Sequence, residues 1–220
     1  MPTSRYKHLP AILDIVLSQE PLSILDVGAG FGKWGLLFRE YTDIAAVDAE
    51  PARYGKDGWK VRIDGVEGFP DYLTPAHDYV YNNVYVGDMC ALIPEMDRYD
   101  VIFLGDVIEH VELEQGKALL RACAERANRL VLVTTPARTG PQEAVCGNTL
   151  EEHRSAWTYR DFEALAPSVT AIIHGKLMAL LFPSDEARTQ ATGALPRRVR
   201  PGLRQAVKKR IVTDLLPSKS

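Results

Sequence analysis

Apolar positions at the start of the chain recur at helical spacing. Leu9, Ile12, Leu13 and Val16 share one face, which predicts an amphipathic helix over residues 5–18 with Pro10 in its first turn. After Pro21 the pattern changes. SILDV, residues 23–27, is a short apolar run that reads as a buried strand, and residues 33–40 return to helical spacing with Leu36, Leu37 and Phe38 apolar. Four runs then end in an acid: IAAVDAE (44–50), VRIDGVE (61–67), NVYVGD (83–88) and DVIFLGD (100–106). Leu113, Leu119, Leu120 and Ala124 mark a helix over 112–127. RLVLVTTP (129–136) is a further buried strand stopped by Pro136. TYRDFEALA reads as a helix with Thr158 as N-cap, and residues 169–173 and 177–182 as two closing strands. Buried strands alternating with helices predict an α/β fold, a mostly parallel sheet covered on both faces. The last two strands are close enough for a hairpin at an antiparallel edge.

The tail breaks the pattern. Seven Lys/Arg fall between residues 197 and 210, and Leu203, Val207, Ile211 and Leu215 share one helical face. Residues 1–190 therefore read as one domain and 191–220 as a basic tail with an amphipathic helix. Such a helix meets an anionic membrane surface, a second copy of the chain or the body of its own domain. The chain has 220 residues and a net charge of −3, enough for one sizeable core and no general polyanion binder. No apolar run reaches membrane-spanning length, and the N-terminus lacks the layout of a signal peptide. Cys90, Cys123 and Cys146 are odd in number and lack CxxC spacing, so they read as reduced thiols of a cytoplasmic protein.

Gly28-Ala29-Gly30-Phe31-Gly32-Lys33-Trp34-Gly35 follows the first strand. A P-loop is excluded, because no Ser or Thr follows Lys33. A dinucleotide site would use Gly30, Gly32 and Gly35 with Asp48 on the ribose. That fingerprint, however, starts directly at the strand end, and counting from Gly28 puts Lys33 where a small residue is needed. An S-adenosylmethionine site needs a flat backbone floor, an acid at the next strand end for the ribose and a polar group for the adenine. Asp26, Gly28, Gly30 and Gly32 suit it.

On these residues the chain resembles class I S-adenosylmethionine-dependent methyltransferases. LDVGAGFG resembles their first motif, with Ala29 inside the cofactor loop. Asp88 and Asp106 match the acids after the third and fourth strands. Asp106-Val107-Ile108-Glu109-His110, TTP at 134–136 and EEHRSAWTYRDFEAL resemble the ubiquinone-biosynthesis-like branch, and IDGVEGF the surface-polysaccharide type. The resemblance covers roughly residues 5–185 and implies a Rossmann-like, mostly parallel seven-stranded sheet. It implies that Asp88 binds the adenine amine, that Met89 covers the ring and that Asp106 stands at the methyl-transfer mouth. The strand count favours Glu67 over Asp48 for the ribose: NVYVGD is then the third strand, VRIDGVE the second, and residues 42–60 an insertion.

A hydroxyl acceptor profits from a base titrating near neutrality. His153, in the loop after the fifth strand, is the first candidate, then His110, then Asp106. His8, His77 (in a polar loop) and His174 read as structural or solvated. Asp106, Glu109, His110 and His153 have metal-ligating side chains, but their spacing matches no defined signature and no metal is assigned. Trp157 and Tyr159 either stack on a substrate ring or pack the loop, and Gln142 and Asn148 are candidate hydrogen-bonders. The loop has few basic residues, which argues against nucleic acid. The expected reaction is O-methylation of a small-molecule or saccharide-type acceptor. The rivals are a nicotinamide oxidoreductase and a non-catalytic partner subunit.

Overall fold

The structure, a computed structural model, describes residues 6–45 and 55–195. Its elements, in chain order, are α1 (Leu9–Leu17), β1 (Ser23–Val27), α2 (Lys33–Arg39), β2 (Arg62–Glu67), α3 (Pro75–Val80), β3 (Asn83–Val86), α4 (Met89–Leu92), β4 (Tyr99–Gly105), α5 (Leu113–Arg126), β5 (Ala127–Pro136), α6 (Tyr159–Glu163), β6 (Ser168–Ile173), β7 (Lys176–Leu181) and α7 (Asp185–Ala194). The strands form one seven-stranded sheet of order β3-β2-β1-β4-β5-β7-β6. β3 to β5 run parallel, and β7 is antiparallel to both β5 and β6. This is the expected Rossmann-like methyltransferase fold with its edge hairpin.

Alternation along the central strands builds two cores. Ile24, Val101, Phe103, Leu130 and Leu132 face α1, α2 and α7. Leu25, Val27, Ile102, Leu104, Val131 and Val133 face α5 and α6. Both faces of these strands are apolar, so the sequence shows continuous runs where a half-exposed strand would alternate. The expected helices at 5–18, 33–40 and 112–127 are present with shorter bounds. Thr158 does cap α6: it forms a reciprocal box with Asp161.

The chain leaves α2 through a π-helical turn, Glu40–Ile44, so the IAAVDAE run does not start as a strand. Its remainder, including Asp48, lies outside the described residues. The excursion is pinned where it leaves and returns. The buried Arg39 guanidinium donates to Asp43 Oδ2 (2.6 Å), Val61 O (2.7 Å), Val80 O (3.1 Å) and Asn82 Oδ1 (2.9 Å). Asp43 Oδ1 in turn accepts Lys60 N–H at 2.8 Å. A buried charge is tolerated when it is paired and hydrogen-bonded, and here four of the five N–H donors are used. This knot delivers the chain into β2, which pairs with β1 as the strand count required. α7 ends in the core through Ala191 and Leu195, past the expected domain boundary at 190. The basic helix expected for the tail lies outside the described residues.

Candidate active site

The carboxyl ends of β1 to β4 open onto one cleft of about 550 Å³. It lies where the strand order reverses between β1 and β4. The helix after β1 packs on one face of the sheet and the helix after β4 on the other. The loops therefore diverge and leave a crevice.

One end of the cleft is the glycine loop. Gly28 N–H and Ala29 N–H both donate to Val66 O of the neighbouring strand (2.8 and 3.0 Å). Gly28 has φ +73°, and a Cβ there would lie 2.4 Å from Val107 Cγ2, so conformation and space both demand glycine. Glu67, which ends β2, closes the loop: Oε2 accepts Gly30 N–H at 2.7 Å and Oε1 accepts Phe69 N–H at 2.8 Å. His77 supports it from below. Its Nδ1 accepts Thr74 N–H, so Nε2 carries the proton and donates to Gly30 O at 3.0 Å. His77 thus sits buried in α3, not in a polar loop.

Asp26 and Gly32 do not line this cleft. Asp26 is buried under the floor, where its Oδ2 accepts Tyr81 O–H at 2.7 Å. Burial pushes its carboxyl up to about 7 against the Tyr81 hydrogen bond, with a smaller push from the Glu67 charge. Gly35 makes room for the same tyrosine: a Cβ would lie 2.2 Å from Tyr81 Cζ. Asp88 caps α4 through Cys90 N–H (2.9 Å), and both Asp88 and Met89 line the cleft.

The other end is assembled from three distant segments. Asp106 follows β4 in a left-handed conformation, φ +61°. Its Oδ1 accepts Thr134 Oγ1–H (3.2 Å) and pairs with Lys176 Nζ (2.7 Å) at the start of β7. Glu109 and His110 lie on the 3-10 turn Ile108–His110. The loop after β5 is stitched onto that turn: Arg154 N–H and Ser155 N–H donate to Glu109 O (2.8 and 3.1 Å). His110 Nδ1 faces Glu152 O at 3.2 Å, His153 Nδ1 faces Gly140 O at 2.6 Å, and the two rings are 5.1 Å apart. Burial is the main cause that lowers the His110 pKa, and the adjacent His153 adds to it. Glu109 is 1% exposed, and burial with the Asp106 charge pushes its carboxyl up to about 8.

Of the residues read from the sequence, Gly28, Ala29, Gly30, Glu67, Asp88, Met89, Asp106, His110 and His153 all line one cleft. Trp157 and Tyr159 do not. Trp157 is 3% exposed, donates to Ile108 O and packs over Gly116, while Tyr159 is 51% exposed on α6. Gln142 and Asn148 line the cleft, but both serve its loop: Gln142 donates to Glu151 O (2.6 Å) and Asn148 caps the turn at Leu150 N–H (2.9 Å). Lys176 was missed, although a lone lysine opening the apolar run KLMALL is a readable oddity. Tyr72, bonded to Glu151 (3.2 Å) across the cleft, left no local signal.

A mostly parallel seven-stranded sheet with an inverted edge and a cleft at its reversal defines the Rossmann-like methyltransferase architecture. The chain belongs to the methyltransferase domain family, whose model matches residues 5–171. A comparison with curated proteins gives no match. Among solved structures, it is similar to an O-methyltransferase family protein from Burkholderia thailandensis (13% identity, TM-score 0.53, covering 81% of this chain and 57% of that one). It is also similar to PigF, solved with SAH (16%, 0.52, 80% and 55%), and to the PH0226 protein from Pyrococcus horikoshii OT3 (14%, 0.53, 83% and 93%). At these identities the likeness is one of fold. The chain spans just over half the length of the first two. No helix among the described residues is long and apolar enough to cross a membrane.

Proposed function

We propose that the protein transfers a methyl group from S-adenosylmethionine to a hydroxyl of a small-molecule or saccharide-type acceptor. The observation that carries this reading is the state of the glycine loop. Its N–H groups at Gly28, Ala29 and Gly30 are already spent on Val66 O and the Glu67 carboxylate. A dinucleotide pyrophosphate needs such donors free and no anion beside them. A donor without pyrophosphate needs only the flat floor. Glu67 keeps unused lone pairs for ribose hydroxyls, since each carboxylate oxygen accepts more than one hydrogen bond. In this reading Asp88 takes the adenine amine and Met89 the ring face; both line the same cleft.

The donor supplies a methyl group on a cationic sulfur, which keeps the C–S bond pair as the acceptor oxygen forms the new C–O bond. The chain's part is alignment and removal of the hydroxyl proton. His153 fits that role: a carbonyl at Nδ1 requires the proton there, so Nε2 carries the lone pair. PigF, of the same fold, was solved with SAH, which agrees with this donor. A thermal-shift titration tests it. S-adenosylhomocysteine is expected to raise the melting temperature saturably and NADH to leave it unchanged. A shift with NADH alone would return the dinucleotide reading.

A further inference from the structure

We propose that Tyr72 and Glu151 latch the loop after β5 as a roof over the cleft, and that Tyr72 is a positioning residue that sets how long the donor stays bound beneath it. Residues 137–158 separate β5 from α6, long for a connection in a compact domain and typical of segments that cover a site. In the strand order, β5 is three steps from β2, across β4 and β1. At the usual strand spacing that is roughly 14 Å. The loop crosses it. One part is held over β4, where Arg154 N–H and Ser155 N–H donate to Glu109 O (2.8 and 3.1 Å). Its tip reaches the turn that follows β2. There Tyr72 O–H donates to Glu151 Oε1 at 3.2 Å. Leu150 rests on the bare Cα of Gly68, beside Glu67: a Cβ there would lie 2.8 Å from Leu150 Cδ1. The glycine loop, which follows β1, falls between these two supports.

The roof holds its own shape. Gln142 Nε2 donates to Glu151 O (2.6 Å), His153 N–H donates to Gln142 O (3.1 Å), and Asn148 Oδ1 accepts Leu150 N–H (2.9 Å). What ties its tip to the β2 side is a hydroxyl–carboxylate bond and an apolar contact, far less than a packed core provides. Burial pushes the Glu151 carboxyl above its ordinary value; the Tyr72 bond opposes that, and the Glu67 charge adds to it. The latch therefore closes beside a like charge, and losing one hydrogen bond is enough to bias it open. The same self-bonded unit carries His153, so the latch also fixes where that ring stands. Retention of the donor rests on the methyl-transfer reading; closure of the roof does not.

The test compares the full chain with Tyr72→Phe, Glu151→Ala and the double variant, by hydrogen–deuterium exchange without ligand and by stopped-flow displacement of S-adenosylhomocysteine. Each single change is expected to speed both exchange at residues 148–153 and S-adenosylhomocysteine release by about three- to tenfold, with β4 and β5 amides unchanged. The double variant should match the singles, because all three remove the same bond. Tyr159→Phe, outside the cleft, should change neither readout. A tyrosine that only props the turn after β2 would leave exchange in the loop untouched, and that result overturns the proposal. So do additive effects in the double variant, or faster loop exchange with unchanged release. If the unaltered chain binds no S-adenosylhomocysteine, the donor reading falls, and the exchange comparison alone decides the latch.

Discussion

At the glycine end of the cleft, Gly28, Gly30 and Glu67 come from two neighbouring parallel strands in register, with Val27 opposite Val66. At the histidine end, Asp106, His110, His153 and Lys176 come from the loop after β4, the loop after β5 and the inner strand of the edge hairpin. The first end is made by backbone: a strand stops, a turn with positive φ follows, and one carboxylate ties it down. The second is made by side chains that face one another only after the sheet has formed. On the proposed function, the comparison teaches that a donor floor can be written in one short stretch, whereas an acceptor end has to be gathered from distant ones.

This contrast can be broken by substitution. The largest effect is expected from Gly28→Ala, which adds a Cβ against Val107 at a left-handed position. It should cost about 3–5 kcal/mol of stability by denaturant titration. A near-neutral result would show a glycine floor more pliant than its contacts indicate. Next, His153→Ala should lower turnover on a competent acceptor by roughly 100- to 1,000-fold while S-adenosylhomocysteine affinity holds. Unchanged turnover would remove His153 from the chemistry. Glu67→Ala should weaken S-adenosylhomocysteine by roughly 30- to 100-fold in calorimetry, because it loses a charged acceptor and frees Gly30. Asp48→Ala should change it far less, and equal effects would reassign the ribose acid. The smallest effect belongs to Lys176→Met. It breaks a partly buried pair with Asp106 and should cost about 1–2 kcal/mol by thermal or denaturant unfolding, with donor affinity kept. A large loss of donor affinity instead would mean that the two ends are not independent.

Legibility in the sequence followed the same division. The β1–loop–α2 unit, the buried runs of β4 and β5 and the choice of Glu67's strand could be read because each rests on local pattern or on chain order. α3 and α7 could not. α3 is six residues opened by proline, and α7, DEARTQATGA, carries little apolar stripe. For Trp157 the sequence leaves two readings open, stacking on a substrate ring or packing the loop, and the space over Gly116 decides for packing. Lys176 and the Glu109–His110–His153 cluster depend on the loop after β5 folding back onto the turn after β4. Spacing along the chain does not encode that approach.

Asp26 carries a consequence for calorimetry. Its carboxyl holds a proton up to about pH 7 in the folded chain, while an unfolded chain releases it near the ordinary carboxylate value. Folding between those values therefore takes up a proton, and this group's contribution to stability falls as pH rises across the window, the sign expected when the native state binds more protons. Heats measured for unfolding in that range will include the ionisation enthalpy of the buffer. Two buffers of different ionisation enthalpy would then report different apparent heats for the same molecule, and Asp26→Asn should narrow the difference, leaving the share of Glu109, whose carboxyl is pushed up to about 8.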